Sequence, residues 1–61
     1  MKFKAAALLA SKGKTVVSST DKYYIEKMGF LQEVGGTKSP SIEEFLGEWS
    51  AANAEAVPLV D

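Results

Sequence analysis

Residues 20–34 read TDKYYIEKMGFLQEV, and the way they fold decides the architecture of the chain. Ser19 or Thr20 can cap a helix whose first turn places Asp21 against the positive end of the helix dipole. Tyr24, Ile25 and Met28 then fall at i, i+1 and i+4, an apolar stripe at helical spacing. Two endings compete. In one, Gly29 stops the helix near residue 28, and Phe30 to Val34, bracketed by Gly29 and Gly35-Gly36, form a strand. In the other, Leu31 continues the stripe and the helix runs to Val34. A glycine inside a helix costs about 1 kcal/mol, which favours the first ending.

Upstream of this stretch, Lys2 to Ser11 is built largely from good helix formers, and Gly13 stands where a helix commonly ends in a left-handed residue. The small side chains Ala6, Ala7 and Ala10 allow another element to come close. Lys14 to Ser19 changes character, because Thr15-Val16-Val17 is β-branched and suits a strand. A strand needs an edge to pair with, so residues 14–19 and 30–34 are candidates for a two-stranded pairing.

Downstream, Pro40 turns the preceding residue away from helical geometry, and Ser41 with Glu44 three residues later forms a capping box. Ile42, Phe45, Leu46, Trp49, Ala52 and Ala56 continue as one apolar residue per turn until Pro58 forbids further helix, with Gly47 on the opposite face and Val57 to Asp61 as a short tail. These readings predict one small domain over residues 1–61. Its expected class is α+β, mainly helical, with helices near 2–12, 20–28 and 41–56.

With 61 residues, one domain is the ceiling and its core is marginal. The chain has neither cysteine nor histidine, so disulfides, soft-ligand zinc sites and Ser-His-Asp or Cys-His catalysis are excluded. Two carboxylates, Glu44 and Glu48, fall one helical turn apart with Glu55 further on, and they read as a solvated ridge. Gly13-Lys14-Thr15 lacks the earlier glycine of a phosphate-binding loop, since position 8 is Leu8.

The net charge of −1 conceals a division. Residues 1–30 carry six lysines against Asp21 and Glu26, a net +4, whereas residues 31–61 carry Lys38 against six acids, a net −5. Such halves attract each other and set a molecular dipole. The lysines, with Tyr23, Tyr24 and Phe30 for stacking, also make nucleic-acid binding an alternative, weakened by the absence of arginine. Met1 to Ala10 has the basic start and apolar run of a signal peptide, but the run is short and Ser11-Lys12-Gly13-Lys14 stands where cleavage would occur. No stretch approaches the roughly 20 apolar residues of a membrane span. A soluble protein of the cytoplasm or another reducing compartment is expected.

The phrase from Leu8 to Gly36, with Tyr24-Ile25-Glu26-Lys27-Met28-Gly29-Phe30 at its centre, resembles the C-terminal portion of acetyl-CoA-dependent N-acetyltransferases over less than half the chain. In that family a tyrosine before the Gly-Phe step can act as general acid. Ile25 occupies that position here, and neither the glycine-rich pyrophosphate loop nor the early strands are present. A similar phrase occurs in glyoxalase-like domains. The resemblance implies helix-then-strand geometry, not activity, and a remnant of an acyltransferase-like fold is the alternative it leaves open.

Together these observations point away from catalysis and cofactors. They predict a small accessory or adaptor subunit that binds a larger protein assembly through the aromatic face of its C-terminal helix, with Ile42, Phe45, Leu46 and Trp49 as the contact residues.

Overall fold

The structure, a computed structural model, describes residues 1–52. Its first element is helix α1, Phe3–Ser11. Gly13 closes it at φ 89°, and the amides of Gly13 and Lys14 reach the carbonyls of Ala10 at 2.9 Å and Leu9 at 3.3 Å. That pair of bonds is a Schellman ending, the one its glycine predicts. Ala6 and Ala10 are buried one turn apart, so the helix backbone lies close to the sheet beneath it.

Four strands follow the helix: β1 (Val16–Val17), β2 (Tyr23–Lys27), β3 (Phe30–Glu33) and, after helix α2 (Ile42–Leu46), β4 (Ser50–Ala51). They form one antiparallel sheet in the order β3-β2-β1-β4. The core is Ala6, Ala10, Val16, Tyr24, Leu31 and Trp49, with Met1, Phe3 and Leu9 packed against it. Phe3 of α1 meets Phe45 of α2 with ring centroids 4.6 Å apart, and Trp49 packs edge-on against both Phe3 and Tyr24. Both helices therefore lie on the Tyr24 side of the sheet.

Four expectations are corrected. The described residues hold two helices, and helix and strand are nearly equal at about 27% and 25%, so the domain is α+β but not mainly helical. Residues 20–28 are not helical: Asp21 has φ 64°, outside helical geometry, and Tyr23–Lys27 is a strand. Its side chains alternate across the sheet, and Tyr23-Tyr24-Ile25 are residue types that fit a pleated surface. Residues 14–19 and 30–34 do not pair with each other, because β2 lies between β1 and β3.

The helix expected over 41–56 ends at Leu46. Gly47 leaves helical geometry at φ −88°, ψ −168°, and a Cβ there would stand 2.7 Å from Ser19 Oγ and 3.2 Å from the Glu43 carbonyl. A larger residue there would have to displace the Ser19 side chain, so glycine lets the chain pass Ser19 at the point where the stripe was expected to run on. Trp49 turns into the core, its indole N–H donating to the Glu44 carbonyl at 2.8 Å. Ala56 and the 57–61 tail lie outside the described residues.

Candidate functional site

Glu44 is the third residue of α2, and its capping box forms as expected. Its amide donates to Ser41 Oγ at 3.2 Å, and its Oε1 accepts from the Ser41 amide at 2.9 Å. The expectation of a solvated carboxylate fails, because Glu44 is buried. Oε1 also accepts from Tyr24 Oη at 2.8 Å and Ser41 Oγ at 3.2 Å, and Oε2 accepts from Thr20 Oγ1 at 2.6 Å and Ser18 Oγ at 2.7 Å. Each hydroxyl has a single proton, so Ser18 and Thr20, 3.0 Å apart, both direct theirs at the carboxylate.

Burial pushes the Glu44 carboxyl up, but hydrogen bonds from Thr20, Ser41, Ser18 and Tyr24 outweigh it and hold the group at about 2. Burial, the hydrogen bond to Glu44 and the Glu44 and Glu33 charges push the Tyr24 phenol up to about 12. Both groups sit far from neutrality, where an acid or base must titrate to move protons. Glu48 is no part of a carboxylate ridge. It lies beyond α2, where Lys2 at 2.8 Å and the Met1 amine at 3.2 Å hold it below the usual carboxylate range; Glu55 is outside the described residues.

The four side chains expected to share a contact face are divided. Trp49 is 2% exposed and belongs to the core, while Ile42 and Leu46 stand in solvent at 75% and 69%. Phe45 is half exposed, with one side of its ring on Phe3. Among the residues considered for base stacking, Tyr24 is withdrawn into the core, whereas Tyr23 and Phe30 are exposed.

A second apolar surface went unread in the sequence. The register pairs Val17 with Tyr23, Ile25 with Gln32 and Lys27 with Phe30, and all of these project from the face opposite Tyr24 and Leu31. Val34 joins them as its amide donates to the Tyr23 carbonyl at 2.9 Å. Tyr23, Ile25, Phe30 and Val34 are exposed there, and no described element covers them. The signal that could have found this face is the two-residue spacer Met28-Gly29 between two β-rich runs, the length of a tight hairpin turn with glycine at its second central position.

At the end of that hairpin the backbone makes a tight turn with φ 55° at Met28 and φ 89° at Gly29. Positive φ at both central residues marks a type I′ turn. The Gly29 amide donates to Glu26 Oε2 at 2.6 Å, and Met28 and Phe30 are 88% and 72% exposed. Beside the turn a groove of about 310 Å³ opens between α1, contributing Phe3, Ala7 and Ser11, and the hairpin, contributing Glu26, Phe30 and Leu31.

Among the described residues no helix is long and apolar enough to cross a membrane. Comparisons with protein-family models, with curated proteins and with solved structures find no match for this chain. The phrase Tyr24 to Phe30 is strand and turn, so the helix-then-strand geometry implied by its resemblance to acyltransferases is not the one observed.

Proposed function

We propose that this chain is a non-catalytic accessory subunit that docks onto a larger protein through apolar surface its own fold leaves uncovered. One observation carries the reading: an antiparallel sheet with one solvated face is normally polar on that face, and here Tyr23, Ile25, Phe30 and Val34 occupy it. Exposed apolar side chains that are contiguous, unlike scattered ones, mark interaction surfaces. Ile42, Phe45 and Leu46 of α2 supply a second patch on the opposite side, without Trp49. The positions of Glu44 and Tyr24 on the pH scale support a structural role for the polar cluster around Glu44.

The test is affinity capture from native lysate with wild type, an Ile25→Glu/Val34→Glu variant, an Ile42→Ser/Leu46→Ser variant and a Lys38→Ala control, each shown to be folded by Trp49 emission. Specific proteins should be retained by wild type and control and lost from the sheet-face variant. Identical recovery by all four, or none by any, overturns the proposal.

Nucleic-acid binding stands as a second reading on a specific observation. Tyr23, Phe30 and Lys27 share a face whose strand positions carry no carboxylate, an arrangement suited to stacking bases beside phosphates. It requires that a single-stranded oligonucleotide bind at low ionic strength with an affinity that falls steeply as salt rises.

A further inference from the structure

We infer that the groove between α1 and the β2–β3 turn receives the alkylammonium group of a lysine side chain on the docking partner. This rests on the proposed docking function and names the chemistry of one contact within it.

The groove's walls are mostly apolar, from Phe3, Ala7, Phe30 and Leu31, and its polar groups are of one kind. Glu26 brings a carboxylate. Its Oε2 holds the Gly29 amide at 2.6 Å, while among the described residues its Oε1 accepts no hydrogen bond and no lysine lies within ion-pair distance. Ser11 brings a hydroxyl whose proton is already given to the Leu8 carbonyl at 2.6 Å, so only lone pairs remain for an occupant.

A groove that offers acceptors and one negative charge selects a cationic donor and disfavours anions and carbonyls. Arginine is less well served, since its planar fork matches a carboxylate with both oxygens presented evenly and here Oε2 already shares its lone pairs with the turn. An ammonium needs a single point contact, and its four-carbon stem lies naturally along apolar walls. Phe30 borders both the groove and the uncovered sheet face, so a lysine seated here extends the same contact.

The experiment is a titration of the ¹⁵N-labelled chain with n-butylammonium chloride and, separately, with n-butanol at matched ionic strength. Saturable shifts should centre on the amides of Ala7, Gly29 and Leu31, with the ammonium binding about fivefold more tightly, the size an exposed ion pair supplies. Glu26→Gln keeps an oxygen for the Gly29 amide and should abolish that preference. Ala7→Leu, which fills the groove without touching the carboxylate, should weaken both probes.

Equal binding of the two probes, shifts centred elsewhere, or indifference to Glu26→Gln overturns the inference. In the capture experiment, loss of the partner from Ile25→Glu/Val34→Glu but full retention by Glu26→Gln removes the lysine contact and leaves docking standing. Retention by both removes docking through the sheet face, and the lysine contact with it.

Discussion

A carboxylate inside so small a domain persists only if its lone pairs are occupied, and Glu44 accepts from Ser18, Thr20, Tyr24 and Ser41 at once. The linkage to pH follows from the direction of its shift. In the folded chain Glu44 titrates at about 2 against an ordinary 4.5, so its contribution to stability is complete above pH 4.5 and is lost as pH falls toward 2. Tyr24 acts at the other limit. Raised from 10 to about 12, it favours the folded state below pH 10, and that advantage disappears as pH climbs toward 12. Glu44→Gln turns an amide donor toward hydroxyls that were donating, and should cost about 2 kcal/mol at pH 7. Urea unfolding at pH 7, 4 and 3 should show the acid-side decline in wild type and a shallower one in Glu44→Gln; parallel declines would mean that Glu44 is not its source. The sequence announced the Ser41 half of this cluster, because a capping box spans three residues. It was silent on Ser18 and Thr20, which reach Glu44 across separations of 26 and 24 residues.

Among the elements, the β2–β3 hairpin shows most clearly what local pattern can and cannot reveal. Both alternating phases are apolar in Tyr23-Tyr24-Ile25 and again in Phe30-Leu31, so the two-residue period is obscured and a helical spacing from Tyr24 to Met28 looks equally good. The C-terminal end of α1 and the start of α2 were legible, since Gly13 and Ser41 with Glu44 act on their own neighbours. The end of α2 was not, since what crowds a side chain at position 47 is Ser19, distant in sequence. The turn itself departs from common chemistry. Asparagine, aspartate or glycine normally occupies its first central position, and Met28 holds φ 55° there with its side chain in water. A left-handed conformation costs a side-chain-bearing residue roughly 1–2 kcal/mol, less for asparagine. Met28→Asn should therefore raise the unfolding free energy by about 1 kcal/mol. The shift in urea midpoint with an unchanged slope measures it, and a lower midpoint would show that Met28 makes contacts in the folded chain that its exposure conceals.

At the scale of the molecule, the fold closes through contacts between the chain's first residues and the segment around Trp49. The Trp49 amide donates to the Met1 carbonyl at 2.6 Å, the Met1 amine donates to the Trp49 carbonyl at 2.7 Å, and β4, which starts at the very next residue, pairs with β1. Lys2 and Glu48 add an ion pair there between the positive and negative halves, exposed and so worth little. No local pattern encodes this closure, which is why Ile42, Phe45, Leu46 and Trp49 looked like one stripe in the sequence but separate into surface and core. Mutation should expose the same division. A domain of 61 residues has roughly 3–9 kcal/mol of stability at typical per-residue values. Truncating a buried tryptophan costs about 3–5 kcal/mol, and here it also removes the indole hydrogen bond to Glu44. Trp49→Ala should consequently leave little folded chain at 25 °C, whereas Ile42→Ser and Leu46→Ser should each stay within about 0.5 kcal/mol of wild type. Far-UV circular dichroism through a urea titration compares all three without relying on the lost fluorophore. If Trp49→Ala unfolds at the wild-type midpoint, the indole does not hold the helices to the sheet, and its place in the core must be withdrawn. If Ile42→Ser instead proves severely destabilising, the α2 patch is interior surface and is no longer available to a partner.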